Sequence, residues 1–171
     1  MAVTGEGERF ARFVAERERS LQRTAWLLTG DWALAQDLVQ TALVRAWPHW
    51  ERIRRRDDPE IYVRRVMVNT WLSWRRRKWR GERASERVPD NPAPGDLAAE
   101  VTARVAVREA LGTLTDRQRT VVVLRVFDDL TEVQAAGVLG CSVGTVKSTL
   151  ARSLAKLRED PQLAGLMEQA R

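Results

Sequence analysis

The chain has 171 residues, of which 44% are hydrophobic, and a formal net charge of +6 at pH 7, a composition that is normal for a globular protein. Its single cysteine, Cys141, excludes an intrachain disulfide and a cysteine zinc site, and no apolar run approaches the roughly 20 residues that cross a bilayer. The first ten residues lack the basic and apolar regions of a signal peptide. We therefore expect a cytoplasmic protein with no disulfide framework, no cofactor and no membrane partner.

The positive charge and the tryptophans are concentrated in the first half of the chain. Twelve Lys or Arg and only four acids fall between Arg52 and Arg83, and all seven tryptophans lie within the first 79 residues. A basic patch of this kind indicates an anionic partner such as nucleic acid. Residues 81–100 contain three prolines and two glycines without an apolar period, which is typical of a linker. The sequence predicts an all-α protein with two small helical domains, residues 1–80 and 98–171, joined by a flexible linker at 81–97.

Apolar residues at helical spacing predict three helices in the first half. The first helix is expected to stop at Gly30, and Asp31 can cap the second, which should end before Pro48. The apolar stripe of the first helix comprises Phe10, Phe13, Val14, Leu21, Ala25 and Leu28; that of the second comprises Ala35, Leu38, Val39, Ala42, Leu43, Ala46 and Trp47. A charged loop, "WERIRRRDDPEIY", is expected to follow, with the third helix running from Tyr62 to about Trp79.

The third helix has a basic face and an apolar face. Trp71 and Trp74 are expected in the core, while Arg64 and Arg75 fall at the margin between the faces. The basic face contains Tyr62, Arg65, Asn69, Ser73 and Arg76. Basic side chains bind phosphates, aromatic rings stack on unpaired bases, and asparagine can read a base edge. This combination favours a partly melted DNA strand over an intact duplex.

The second half predicts four further helices. One begins near Leu97 and runs to about Gly112. "TDRQ" at 115–118 and "TEVQ" at 131–134 are capping boxes, of which the first opens an apolar helix through Phe127 and the second opens a short helix that ends near Gly140. Ser142 can cap the last helix, and two helices joined by so short a turn predict a helix-turn-helix.

The last helix has a polar face without acidic residues. Between Cys141 and Arg158 there are four basic residues and no acid. Thr145, Ser148, Thr149, Arg152 and Lys156 are expected on the exposed face, with Lys147 and Arg158 at its flanks. Short hydroxyl side chains let a helix approach the major groove, and acids would repel phosphate. We interpret this helix as a DNA reader, against the alternative of an ordinary solvated amphipathic helix.

The order of these motifs resembles that of the small extracytoplasmic-function group of bacterial sigma factors. The resemblance is carried by "LLTGDWALAQDLVQTALVRAW", "DPEIYVRRVMVNTWLSWRRR" and "LTDRQRTVVVLRVFDDLTEVQAAGVLGCSVGTVKSTLARSLAKLR", and it covers nearly the whole chain. It implies two helical domains, σ2 and σ4, in a non-enzymatic protein that binds core RNA polymerase and directs promoter-specific transcription initiation. The implied partners are the β′ coiled coil and the β subunit of the polymerase, and promoter DNA.

The resemblance also assigns roles to individual residues. Polymerase binding is implied for Gln36, Asp37, Gln40, Thr41 and Arg45. Recognition of the −10 element is implied for Arg52, Arg54, Arg55, Tyr62, Arg65, Asn69 and Arg76. Recognition of the −35 element is implied for Ser142, Thr145, Lys147, Ser148, Thr149, Arg152 and Lys156. Many members of the family are held inactive by an anti-sigma factor, and no residue of this sequence identifies one.

Two alternatives belong to other classes of protein. An autonomous helix-turn-helix regulator would need a dimer interface or an effector pocket, and the sequence offers neither a heptad repeat nor a spare domain. A nucleic-acid-processing enzyme would need a metal cluster or a nucleophile and base, whereas the chain has one histidine, His49, and no P-loop. The sequence therefore predicts neither a small-molecule substrate nor a catalytic residue.

Overall fold

The computed structural model describes residues 5–79, 98–161 and 163, and the regular elements within those ranges are helices. The first four helices are α1 Gly5–Thr29, α2 Trp32–Ala46, α3 Trp50–Arg56 and α4 Pro59–Trp79. The remaining four are α5 Ala98–Gly112, α6 Asp116–Val122, α7 Glu132–Leu139 and α8 Val143–Arg158. The predicted all-α class is confirmed, while the predicted linker at 81–97 lies outside the described residues. Among the described helices, none has both the length and the apolar character needed to cross a membrane.

The predicted helix ends are confirmed by the hydrogen bonds of the capping residues. Gly30 adopts a left-handed conformation with φ of 71° after α1, and the Asp31 carboxylate accepts from the Leu34 amide at 2.8 Å. Thr115 and Thr131 each form a complete capping box with the glutamine three residues later. These contacts satisfy amide groups that have no partner within their own helix.

The predicted charged loop after α2 is wrong, because Trp50–Arg56 form the short helix α3. Trp50 and Ile53 lie one helical turn apart and are both buried, so a single face of this basic segment packs on the core while its arginines face solvent. Arginine is also a good helix former. The next helix, α4, begins at Pro59 rather than Tyr62, since proline suits a first turn that needs no amide donor and Asp58 accepts from the Glu60 amide at 2.9 Å.

Trp47 was expected on the buried stripe of α2, but it is 44% exposed. Pro48 ends the α-helical ladder, and Trp47 therefore falls in a 3₁₀ turn, Trp47–His49. Its ring packs on Phe10 of α1 with the centroids 5.0 Å apart. The change of helix type takes this side chain off the buried stripe of α2, and the contact with Phe10 covers only part of it.

A π-helical turn, Val123–Phe127, connects α6 to the segment that leads into α7. The Asp128 amide donates to the Val123 carbonyl five residues earlier at 2.9 Å, and Asp129 has a positive φ of 54°. These two features reverse the chain after α6. They place the Asp128 side chain against α1 and α4.

The two halves of the molecule pack directly on one another and share a hydrophobic core. The buried cluster includes Leu28 and Val68 from the first half, together with Leu124 and Ala135 from the second half. Helix α7 lies against α4, and the π turn lies against α1. The sequence did not decide whether the two domains pack together. In the structure they do, and this packed arrangement is called closed below.

A buried ion pair links the two halves. The Arg64 Nε atom of α4 lies 3.5 Å from Asp128 Oδ2, with 4% and 0% of the two side chains exposed. The Thr24 hydroxyl donates to Asp128 at 2.7 Å, and Arg64 Nη2 contacts Ser20 Oγ at 2.8 Å and Glu60 Oε1 at 2.9 Å. Arg64 was expected at the margin of a solvated face; this expectation is wrong, because the second half covers that side of α4.

Further polar contacts cross the same boundary. Arg75 is 3.1 Å from both carboxylate oxygens of Asp116, and Arg119 Nη1 donates to the Leu28 carbonyl at 2.9 Å. The Arg108 side chain lies so close to Gly30 that an added Cβ would approach it to 3.3 Å. Several independent contacts therefore fix the orientation of the second half on the first.

Asp128→Asn is expected to change the pH dependence of stability. Burial raises the pKa of Asp128 above its ordinary 3.8, and this effect outweighs the opposing effects of Arg64, Thr24 and Arg23, while Glu60 adds to it. The free energy of unfolding of the parent, relative to that of the Asn variant, should be greatest below pH 3.8 and fall as the pH rises through the raised pKa. Urea unfolding of both proteins from acid to neutral pH measures this difference, and a difference that stays flat or rises with pH would contradict the assignment.

Candidate nucleic-acid and polymerase interfaces

Helices α7 and α8 form the predicted helix-turn-helix. Gly140 adopts φ of 64° at the end of α7, and the Cys141 amide donates to the Ala136 carbonyl at 3.1 Å. The Ser142 hydroxyl accepts from the Thr145 amide at 3.1 Å and thereby caps α8. A left-handed glycine and a capping serine set the angle between the two helices.

The exposed face of α8 carries hydroxyl and basic side chains. Ser148, Arg152 and Lys156 are exposed, and Thr145 is half-buried beside the Ser142 cap. The Arg152 Nε atom donates to the Ser148 carbonyl at 3.3 Å, and the Lys156 ammonium donates to the Thr113 carbonyl at 2.6 Å. The Arg152 guanidinium is thus held against its own helix, and the Lys156 ammonium is held against the turn between α5 and α6.

Lys147 lies at the flank of this face and is exposed. Its ammonium is 3.5 Å from Glu132 of α7. A surface ion pair of this kind contributes little stability and exchanges easily for another anion. Lys147 can therefore turn toward a phosphate at small cost.

Thr149 was expected on the exposed face, but it is 7% exposed. Helix α8 packs against both α6 and α7, so its buried face is wider than the leucine and valine stripe suggests. Ser153 is also buried, and its hydroxyl donates to the Thr149 carbonyl at 2.6 Å. The placement of Thr149 among groove-facing residues is therefore corrected.

The residues predicted to read the −10 element lie on α3 and α4. Arg65, Asn69 and Arg76 are exposed along one side of α4, and Tyr62 is half-buried against the core. The Arg65 guanidinium lies close to α7, since its Nη2 atom would be 3.7 Å from a Cβ added at Gly137. The second domain thus lies beside this surface in the closed arrangement.

Three of the four arginines of α3 were predicted to contact the −10 element, and two of these three pair with acidic side chains of the first domain. Arg54 Nη2 is 3.0 Å from Glu6 of α1, and Arg55 Nη2 is 2.6 Å from Glu51. Arg52 is exposed. The Arg54 contact holds Glu6 in its charged form, and the pKa of Glu6 is lowered for that reason. These are surface pairs, which a nucleic-acid phosphate can replace.

Helix α2 presents the residues predicted to bind polymerase. Gln36, Asp37 and Gln40 are exposed, and Thr41 is half-buried. Arg45 is exposed, but its Nη1 atom donates to Thr70 of α4 at 2.9 Å, which fixes its position on the first domain. These five side chains lie on the side of α2 that does not face the core.

Val44 is exposed on the same side of α2 as these residues and was not named from the sequence. It is 72% exposed, one turn beyond Gln40 and Thr41 on α2. Its exposure could have been predicted from the sequence, because Val44 falls off the apolar stripe of α2. A single exposed apolar side chain is common on protein surfaces, so Val44 is grouped with these polar residues because it adjoins them.

The sequence matches two family profiles in the order of these domains. Sigma-70 region 2 matches residues 13–81, and Sigma-70, region 4 matches residues 104–157. The first match contains α2, α3 and α4, and the second contains the helix-turn-helix. Together the matches define a protein of the sigma-70 type with regions 2 and 4.

Curated relatives place the chain more narrowly. It is 40% identical over 156 residues to the RNA polymerase sigma-E factor of Streptomyces coelicolor, covering 91% of this chain and 88% of the relative. It is 30% identical over 170 residues to the ECF RNA polymerase sigma factor SigL of Mycobacterium tuberculosis, covering 96% of each. The chain therefore belongs to the extracytoplasmic-function group of RNA polymerase sigma factors.

Two solved structures share the fold. The sigma factor RpoE of Bartonella quintana, in complex with the anti-sigma factor NepR, superposes with a TM-score of 0.72 at 23% identity, covering 89% of this chain and 96% of that one. CnrH, in complex with the cytosolic domain of CnrY, gives 0.65 at 24% identity, covering 98% of this chain and 93% of that one. At this level of identity the comparison establishes the fold.

Members of this family bind core RNA polymerase and direct it to promoter DNA. Transcription initiation is accordingly the function of this chain, and its helix-turn-helix is a DNA-binding unit of sigma region 4.

Proposed function

We propose that α8 reads the −35 element and that α3 and α4 read the −10 element of the promoters this sigma factor serves. The observation that carries the proposal is the exposed face of α8, where Ser148, Arg152 and Lys156 lie on a capped helix segment without an acid. The first residues of such a helix enter the major groove, and arginine can bind a guanine edge or a phosphate. Thr145, Lys147 and the Ser142 cap complete the contact set.

The −10 contacts are assigned to the basic side of the first domain. Arg52, Arg54 and Arg55 supply phosphate contacts, and Arg65, Asn69 and Arg76 extend the surface along α4. Tyr62 is the aromatic group on which an unstacked base can rest. Extruding a base costs a few kcal/mol, which phosphate contacts and stacking must offset.

The second domain limits access to the side of α4 that is assigned to the −10 element. Because α7 lies beside Arg65, a strand that follows α4 needs the second domain to move away. We infer that polymerase binding supplies the free energy for this opening, through Gln36, Asp37, Gln40, Thr41, Arg45 and Val44 on α2.

An anti-sigma factor is a further proposed partner. The sigma factor RpoE, whose structure shares this fold, is in complex with one, and CnrH is in complex with the cytosolic domain of CnrY. A partner that binds the closed arrangement better than the open one would hold this chain inactive. The sigma activity proposed here does not depend on such a partner.

Transcription in vitro tests the proposed function. Core RNA polymerase with this protein should start transcripts on a subset of promoter-length fragments that share two spaced upstream motifs, and polymerase alone should not. Sequencing the transcripts from a fragment library gives both motifs. Specific DNA binding by the free protein without any stimulation of transcription would instead favour an autonomous regulator.

Arg152→Ala is expected to weaken −35 recognition. Loss of a guanine-edge contact should reduce the discrimination between the best site and its single-base variants by about 1–3 kcal/mol, whereas loss of a phosphate contact alone would weaken all sites equally. Competition binding of the polymerase complex to −35 variants measures the effect. Arg117→Ala, at an exposed arginine of α6, is the control and should leave discrimination unchanged, and unchanged discrimination in Arg152→Ala contradicts the role.

Asp37→Arg is expected to impair polymerase binding without unfolding the protein. Asp37 is exposed on α2, so the substitution reverses a surface charge and leaves the core intact. Co-purification with core enzyme should fall at least tenfold, while the circular dichroism spectrum and the unfolding midpoint stay close to those of the parent. Glu109→Arg makes the same charge change on the exposed side of α5 and should co-purify normally. Normal co-purification of Asp37→Arg would remove this residue from the interface.

A further inference from the structure

The helix-turn-helix contains a single acidic residue, Glu132. Residues 131–158 comprise the α7 cap, α7, the turn and α8, and the other charged residues among them are all basic. Glu132 lies in the first turn of α7, directly after the Thr131 cap. A carboxylate repels DNA phosphates, so an acid in a DNA-binding unit that otherwise excludes acids is unexpected.

The Glu132 carboxylate lies beside the DNA-binding face of α8. Its Oε2 atom is 3.5 Å from the ammonium nitrogen of Lys147. Lys147 belongs to the first half of α8, which is the part of a recognition helix that reaches the major groove. The side chain of Lys147 is 61% exposed and that of Glu132 is 35% exposed. Both charged groups are therefore accessible to a DNA phosphate.

Other contacts already hold α7 and α8 together. The two helices pack on one another, and Val138 of α7 and Val146 of α8 are buried in the shared core. Gly140 and the Ser142 cap determine the turn between them. An exposed ion pair adds little to an interface of this kind. A structural link between the two helices is thus a poor account of Glu132.

We propose that Glu132 competes with a DNA phosphate for Lys147 and thereby limits the affinity and the salt dependence of −35 binding. Lys147 reaches a phosphate only when its contact with Glu132 breaks, and Glu132 is then left unpaired beside the DNA. The N-terminus of α7 favours a negative charge, which keeps Glu132 an effective competitor. Glu132 acts through Lys147 and is a positioning residue, and its role rests on the proposed contact of Lys147 with DNA.

The competition makes DNA binding weaker and less steeply dependent on salt. The strength of an exposed ion pair corresponds to a factor of up to about five in affinity. A lysine on a phosphate releases a cation and contributes about 0.9 to the slope of log K against log salt. Glu132 takes up a cation when Lys147 leaves it, so part of this contribution is lost. Phosphates are the same at every site, and the effect is therefore equal for the best −35 sequence and its variants.

Glu132→Gln is expected to strengthen DNA binding by the polymerase complex. The probe is a fluorescein-labelled promoter fragment identified by transcription in vitro, and its binding is measured by anisotropy over a series of salt concentrations. The affinity should rise about two- to fivefold, and the salt slope should become steeper by up to about 0.9. Glu100→Gln removes the same charge from the first turn of α5 and should leave both quantities close to those of the parent.

A double-variant cycle with Lys147→Gln separates competition from simple repulsion. Lys147→Gln alone should weaken binding, because one phosphate contact is lost. In that background Glu132→Gln has no ion pair to release, so its gain in affinity should be smaller than in the parent. The difference between the two gains measures the competition for Lys147, and the remainder measures repulsion between Glu132 and the DNA.

Glu132→Asp separates the ion pair from the stability of α7. Aspartate keeps a negative charge at the helix N-terminus but is one methylene shorter, so its carboxylate reaches Lys147 less well. Its affinity for the promoter fragment should lie between those of the parent and Glu132→Gln. Circular dichroism and the unfolding midpoint verify that each variant is folded.

Two results would overturn the proposal. One is binding by folded Glu132→Gln that is no tighter than that of the parent; weaker binding would mean that Glu132 directs Lys147 toward the DNA. The other is an equal gain from Glu132→Gln with and without Lys147. Unchanged binding after Lys147→Gln in both backgrounds would instead contradict the proposed DNA contact of Lys147, so the two failures are distinguishable.

Discussion

Among the described ion pairs that cross between the two domains, Arg64 and Asp128 are the most deeply buried, and they help to orient the second domain on the first. Bringing two charges out of water is expensive, and their attraction repays the cost only when the remaining polar atoms are satisfied. Here the Thr24 hydroxyl donates to Asp128, while Ser20 and Glu60 contact Arg64, but the buried Nη1 atom of Arg64 has no hydrogen-bond partner. Burial also raises the pKa of Asp128 despite the nearby Arg64. The contacts of Asp128 with Arg64 and Thr24 cross between the domains, so they form only when the domains pack in this way, and they contribute to the orientation more than to net stability.

Local backbone geometry makes this pair possible. The π turn and the positive φ of Asp129 bring Asp128 to the interface and begin the approach to α7. The same reversal positions the helix-turn-helix, because α7 starts directly after it and packs on α4. The π turn and Asp129 therefore determine how the helix-turn-helix lies relative to the basic side of α4. In the closed arrangement, the distance and angle between the α8 face and the basic side of α3 and α4 are therefore fixed.

The candidate surfaces differ in how much of them could be predicted. The exposure of Gln36, Asp37 and Gln40 was predictable, since they fall off a clear apolar stripe on a helix with recognisable ends. Val44 also falls off this stripe and is exposed, but its apolar side chain, taken by itself, carries no sequence signal for exposure. Thr149 could not be placed correctly from α8 alone, as the width of its buried face depends on α6 and α7 together. The contact between Arg64 and Asp128 had no sequence signal, because the two residues are about 60 positions apart in the chain.

The sequence by itself determined the helical class, the capping residues, the helix-turn-helix and the family. These features depend on local spacing: an apolar period, a Thr three residues before a Gln, a glycine at a helix end. Tertiary structure decided where Trp47 lies, that the basic segment Trp50–Arg56 is helical, and that Arg64 is buried rather than solvated. The physical reason is that the burial of an arginine or a tryptophan depends on which distant surface covers it. For Arg64 the covering surface comes from the second domain, whereas for Trp47 the contact with Phe10 of α1 leaves 44% of the residue exposed.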